Sequence, residues 1–94
     1  MKKLYALITG ASSGIGSEIA ISLAERGFNI ILTARREERL IALTKDLQDR
    51  YGVHADYVTG DLASPETPQE IYNFCKERNY EVEVLVNNAG YGLP

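Results

Sequence analysis

One cysteine, one methionine, one histidine and no tryptophan occur in these 94 residues, and each scarcity removes an option. A lone Cys75 cannot form an internal disulfide and fits a reducing compartment, so the expected location is the cytoplasm. Its expected place is on or near the packed face of a helix, not as a nucleophile. A lone His54, with no second histidine or cysteine placed to join it, builds no metal site and is expected to be structural or solvent-facing. Positive charge is short as well. The net charge is −3, and the tyrosines are scattered without interleaved basic residues, so no nucleic-acid partner is expected. No apolar run approaches the roughly 20 residues of a membrane span. Met1-Lys2-Lys3 followed by apolar residues mimics the start of a signal peptide. Gly10 breaks that run after about six residues, short of the roughly 7–15 such a segment needs. Repeats, linkers and low-complexity stretches are missing too. The length sets a single domain at most, with a modest core.

Against these absences stand two short motifs. The first is Thr9-Gly10-Ala11-Ser12-Ser13-Gly14-Ile15-Gly16. It follows Lys3 to Ile8, a short apolar run that suits a buried strand, and it precedes a helical pattern in which Ile15, Ile19 and Leu23 run beside Ala20 and Ala24. Arg26-Gly27 is expected to close that helix, with the cation in its last turn. Gly10 permits a backbone angle closed to other residues. Gly14 and Gly16 remove side chains where phosphate oxygens and the neighbouring strand would approach. A diphosphate would then rest on the free N–H groups and positive dipole end of the helix. The alternative is that the three glycines only shape a tight strand-to-helix turn. The spacing is GxxxGxG, not GxGxxG, and no Lys-Ser or Lys-Thr follows to make a Walker A loop. The second motif, Asn87-Asn88-Ala89-Gly90, closes another apolar run.

Between them the chain alternates. A second strand is expected from Phe28 to Thr33 and a helix from Arg36 to Tyr51, with Leu40, Leu43, Leu47 and Tyr51 on one side and Gly52 ending it. A third strand is expected from Val53 to Thr59. Ser64-Pro65 reads as the start of a helix carrying Ile71, Phe74, Cys75 and Arg78, with Pro68 tolerated in its first turn. Val82 to Val86 is the expected fourth strand. This βαβαβαβ order with short connections predicts right-handed crossovers and a parallel α/β sheet.

The two motifs, with the pair Asp61-Leu62 between them, resemble the classical short-chain dehydrogenase/reductase family over essentially the whole chain. The resemblance implies the amino-terminal part of a doubly wound Rossmann-type sheet with strand order 3-2-1-4, residues 1–94 being one partial domain. It also implies a nicotinamide cofactor. Gly10, Ser12, Ser13, Gly14, Ile15 and Gly16 match the family's diphosphate turn. Asp61 matches the residue that holds the adenine amino group, and Leu62 the residue that flanks the adenine ring. The alternative for Asp61 is a turn or cap residue before Ser64-Pro65. Asn87 and Asn88 match a pair whose amides brace the sheet and line the adenosine ribose pocket. Ala89 and Gly90 lack bulk where the cofactor passes.

Cofactor choice turns on the end of the second strand. An NAD site places an acid there for the ribose hydroxyls. This chain has Ala34-Arg35-Arg36. Without the carboxylate nothing there repels a 2′-phosphate, and a guanidinium can grip one through two parallel hydrogen bonds. Arg35 stands at the matching position, so NADP(H) is expected over NAD(H). Arg36 is a weaker candidate, Glu37 and Glu38 could pair with either arginine, and Ser13 replaces a basic residue found in some family members' glycine turn.

The family's catalytic group resembles a serine with Tyr-x-x-x-Lys, in which the lysine lowers the tyrosine pKa for proton transfer. Only Tyr72 and Lys76 fit that spacing here. They precede Asn87, whereas the family's pair follows that motif, so no catalytic residue is assigned. The expected function is the cofactor-binding portion of an NADP(H)-dependent oxidoreductase acting on a carbonyl or alcohol. The alternatives are a catalytically inactive NADP-binding regulatory module, or another Rossmann-type enzyme such as a methyltransferase. An acid at the end of the second strand would favour the methyltransferase, and Ala34 stands there. Leu32 to Leu40 also resembles family members acting on lipid-like or steroid-like ketones. The catalytic half is expected to lie outside these residues, in a complete protein that assembles as a homo-oligomer. Val82, Val84, Leu85 and Val86 are then expected to form an exposed apolar edge that leaves the isolated chain marginally stable and prone to associate.

Overall fold

Apolar runs bounded by glycine and polar turns become strands, and the amphipathic stretches between them become helices. The computed structural model describes residues 3–11 and 14–88. In chain order the elements are β1 (Lys3–Thr9), α1 (Gly14–Glu25), β2 (Asn29–Ala34), α2 (Glu37–Tyr51), β3 (Ala55–Thr59), α3 (Thr67–Glu77) and β4 (Tyr80–Asn87). The four strands form one parallel sheet in the order β3-β2-β1-β4. This is the Rossmann-like α/β arrangement expected from the alternation.

Because the strands are parallel, all four carboxyl ends share one edge of the sheet. Thr9 pairs there with Thr33 and with Asn87, and Ala34 pairs with Thr59. The helices divide between the faces. Ala6, Ile8, Ile30 and Leu32 pack with Ala20, Ala24, Leu40 and Leu47 on the side of α1 and α2. Tyr5, Leu7 and Ile31 pack with Ile71 and Cys75 of α3 on the other. Strand β2, covered on both faces, accordingly carries the apolar run Ile30-Ile31-Leu32, all three fully buried, followed by buried Thr33.

The helix ends obey local chemistry. Gly52 caps α2 in the left-handed region (φ 69°), its N–H donating to Gln48 O. Buried Thr44 satisfies its hydroxyl within α2, on the carbonyls of Leu40 and Ile41. Several boundaries differ from expectation by a little: Arg26 falls just past the last residue of α1, β2 runs Asn29–Ala34 instead of 28–33, α2 starts at Glu37 instead of Arg36, β3 starts at Ala55 instead of Val53, and β4 runs Tyr80–Asn87 instead of 82–86. The stripe of α1 that is buried is Gly16, Ala20 and Ala24, whereas Ile15 is exposed.

The start of α3 departs more clearly. Ser64-Pro65 does not open it; the helix begins at Thr67 with Glu66 as N-cap and Pro68 in its first two positions. Residues 61–66 are taken up by turns instead. Ser64 N donates to Asp61 O at 2.8 Å and Thr67 N to Ser64 O at 3.2 Å. The Ser64 hydroxyl is spent on the Glu66 carboxylate and caps no backbone group. Pro68 is therefore well placed, since the first N–H groups of a helix have no intrahelical acceptor.

A second departure lies in β4. Tyr80, Val82, Val84 and Val86 alternate as if on one face. The register against β1 shifts between Tyr5 and Ala6, which pair with Val82 and Val84, so Glu83 is an extra residue. The bulge sends Tyr80 to the α3 side with Tyr5, and Val84 and Val86 to the α1 side with Ala6 and Ile8.

At the amino ends of the strands, away from the carboxyl edge, a polar cluster ties β1, β3 and β4 together. The Tyr5 hydroxyl lies 2.6 Å from His54 Nδ1, and Tyr80 donates to Asp56 Oδ2 at 2.7 Å. The Tyr5 and Tyr80 rings stack at 4.2 Å. His54 thus has a structural place, its backbone N–H donating to Asn29 Oδ1 at 3.0 Å. Burial pushes up the pKa of both tyrosines, and the bond to Asp56 raises that of Tyr80 further. Cys75 is buried on the packed face of α3, where burial raises its thiol pKa.

Candidate functional site

The carboxyl edge of the sheet brings the two sequence motifs into contact. Gly10 leaves β1 with φ 68°, a conformation that a Cβ would strain. The chain then turns into α1, and Ala11 N donates to Thr33 O at 3.2 Å, binding the turn to β2. Gly16, in the first turn of α1, lies against this same loop. A Cβ there would stand 2.5 Å from Gly10 O, 2.8 Å from Asn88 Nδ2 and 3.0 Å from Ala11 Cα. Gly14 differs, because a Cβ there would meet nothing within 4 Å. Of the two, Gly16 is required by protein packing; Gly14 faces open space.

Asn88 closes the arrangement from the far strand. Its side-chain amide donates to Gly10 O at 3.3 Å, and its backbone N–H donates to Thr9 Oγ1 at 2.9 Å. Thr9 Oγ1 in turn lies 3.0 Å from Asn87 Oδ1 and 3.4 Å from Val86 O, its single proton serving one of them at a time. Thr9 was not singled out as a site residue, although it fastens the two motifs. A hydroxyl directly before the first glycine was the available signal.

The electrostatics of the edge are uneven. The first turn of α1 carries no acidic side chain, so its positive dipole end is not offset locally. Ser17 Oγ donates to Gly14 O at 3.0 Å, and Ile15 stands exposed beside it. The first turn of α2 carries Glu37 and Glu38. Arg35 and Arg36 are exposed between β2 and α2. Among the described residues no ion pair joins either arginine to Glu37 or Glu38, and Glu37 accepts the Tyr57 hydroxyl at 3.0 Å.

Asp61 follows β3 at the same edge and is exposed. Its Oδ1 accepts Ala63 N at 2.9 Å, and its carbonyl accepts Ser64 N at 2.8 Å and Thr67 Oγ1 at 2.6 Å. It therefore does shape the turn before α3, with Oδ2 left over among the described residues. Leu62 is half-buried against the cluster beneath α3. Gly60, which the sequence did not flag, is fixed by this loop, because a Cβ there would lie 2.8 Å from Thr67 Cγ2. Ser12, Ser13, Ala89 and Gly90 lie outside the described residues. Tyr72 and Lys76 sit together on the outer surface of α3, the ammonium 5.8 Å from the ring centre, away from this edge.

A turn of this shape, followed by a helix and met by an asparagine from the fourth strand, matches a known family along nearly the whole chain. The family model described as short chain dehydrogenase covers residues 4–93. The chain belongs to the short chain dehydrogenase family. A very-long-chain 3-oxoacyl-CoA reductase from Candida glabrata is 39% identical over 92% of the chain and 24% of that protein. The human protein called inactive hydroxysteroid dehydrogenase-like protein 1 is 41% identical over 96% of the chain and 27% of its own length. Among solved structures, L-sorbose reductase from Gluconobacter frateurii, complexed with NADPH and L-sorbose, superposes with a TM-score of 0.88 at 38% identity. That match covers 98% of this chain and 35% of the reductase. The chain thus spans about a quarter of the curated relatives it matches.

Proposed function

We propose that this chain is the cofactor-binding portion of an NADP(H)-dependent oxidoreductase that acts on a carbonyl or alcohol. The observation that carries the reading is the union of the Gly10 turn, the α1 amino terminus and Asn88 at one edge of the sheet. The diphosphate rests on the N–H groups that open α1, over Gly14, where the protein leaves open space. Ser12, Ser13 and Ile15 are proposed as part of the diphosphate site, and Gly16 lets the turn approach α1. Asp61 offers its remaining carboxylate oxygen to the adenine amino group, with Leu62 beside the ring. Asn88, Ala89 and Gly90 border the ribose. Arg35 takes the 2′-phosphate through its guanidinium. When bound, the nicotinamide supplies hydride-transfer chemistry. The residues of this chain bind and orient, and none of them is assigned a proton transfer.

The names of the relatives make a lipid-like ketone the first substrate class to try, with a ketose beside it. The lone free thiol supports a reducing, cytoplasmic location. Among the described residues no helix is long and apolar enough to cross a membrane. The deciding measurement is titration of the full-length protein with NADPH and with NADH. NADPH is expected to bind more tightly, and Arg35→Ala to weaken it by about tenfold or more while leaving NADH nearly unchanged. Equal or tighter binding of NADH by the wild type sinks the NADP assignment. One observation favours a second reading, a catalytically inactive NADP-binding regulatory module: the human relative is named as inactive. Cofactor uptake without turnover of any ketone in a long-chain, steroid and sugar panel would select it.

A further inference from the structure

Glu37 poses a problem for phosphate recognition at Arg35. It opens α2 two residues after the arginine, where a free carboxylate can neutralise the guanidinium or repel a 2′-phosphate. Its position is not left to chance. Tyr57, in the middle of β3, donates its hydroxyl to Glu37 Oε2 at 3.0 Å. Strand β3 is the neighbour of β2, and Tyr57 pairs with Leu32 two residues before Ala34. The tyrosine therefore reaches the first turn of α2 from the side of the outer strand. Its ring packs partly buried against the core on the α2 face, which limits the hydroxyl to a narrow range of positions.

We infer that Tyr57 is a specificity-determining positioning residue, which holds the Glu37 carboxylate to the β3 side and so leaves the Arg35 guanidinium available to a 2′-phosphate. The inference rests on the NADP(H) reading above. It adds that the preference needs two residues acting together, a guanidinium that binds and a phenol that restrains the adjacent acid. Exposed hydrogen bonds of this kind are modest, so the expected effect is a tuning of preference, not its abolition.

The test is a binding cycle on the full-length protein, with dissociation constants for NADPH and NADH measured by fluorescence titration. Tyr57→Phe keeps the ring and removes the hydroxyl. It is expected to lower the NADPH-over-NADH preference by about threefold, through weaker NADPH binding. Glu37→Gln in the Tyr57→Phe background is expected to restore the wild-type preference, since the released side chain no longer carries charge. Glu37→Gln alone is expected to change it little. A merely structural tyrosine would lower the thermal midpoint and weaken both cofactors equally, without rescue by Glu37→Gln. A preference unchanged in Tyr57→Phe, or not rescued in the double variant, overturns the inference. A wild type with no NADPH preference overturns the underlying reading instead, so the two failures are distinct.

Discussion

Gly14 and Gly16 have one residue between them yet answer to different constraints. Gly16 lies against Gly10 O, Asn88 Nδ2 and Ala11 Cα, so Gly16→Ala must push backbone atoms apart. Alanine's better helix propensity is worth less than this overpacking, and a net loss of about 1–3 kcal/mol is expected in urea unfolding. Gly14→Ala meets no protein atom within 4 Å, and its position in α1 tolerates a methyl group. Stability should hold or rise slightly, whereas NADPH affinity should fall, because the methyl enters the space proposed for the diphosphate. If Gly14→Ala binds NADPH as the wild type does, that placement is wrong. The glycine spacing made both positions legible in the sequence but could not separate their roles. Only the approach of Gly10, Ala11 and the Asn88 side chain to Gly16 does so. Gly60 was illegible for the same reason, since its constraint is the Thr67 methyl seven residues on.

Among the elements, the parallel sheet was readable from the alternation with short connections, and its strand order from the family resemblance. Two features were not. The start of α3 depends on turns that spend Ser64 on Glu66 and Asp61 on Ala63, which no local cap rule foretells. The bulge at Glu83 interrupts an alternation that looks continuous in the sequence. The tyrosine cluster at the strands' amino ends was equally hidden, as it joins residues from β1, β3 and β4. It leads to a pH prediction. The folded-state pKa of Tyr80 is raised above its ordinary value of 10.0, so folding favours the protonated phenol. That contribution is complete below about pH 10 and is lost as the pH climbs toward the folded-state value. Urea midpoints should therefore decline above pH 10, and Tyr80→Phe should flatten the decline. A variant that follows the wild-type curve from pH 8 to 11 would show that Tyr80 is not the titrating group.

For the molecule as a whole, the sheet has two dissimilar margins. On β4, Leu85 pairs with Leu7, whose side chain packs on the face of α3, yet Leu85 is 63% exposed. Val82 is 37% exposed on the same strand. Exposed Glu81 and Glu83 interrupt this apolar surface, as charged residues do on free strand edges. The 94 residues produced alone are expected to self-associate through this margin, and Leu85→Lys to shift sedimentation velocity profiles toward monomer. A wild-type chain that stays monomeric at high concentration would count against an adhesive edge.

The bond from Asn88 to Gly10 spans 78 positions of chain. During synthesis, then, the first glycine turn leaves the ribosome long before the amide that fastens it. A nascent chain ending before Asn88 carries the whole diphosphate loop but lacks its clasp. Nucleotide capture should therefore begin only after Asn88 has emerged, as a consequence of topology.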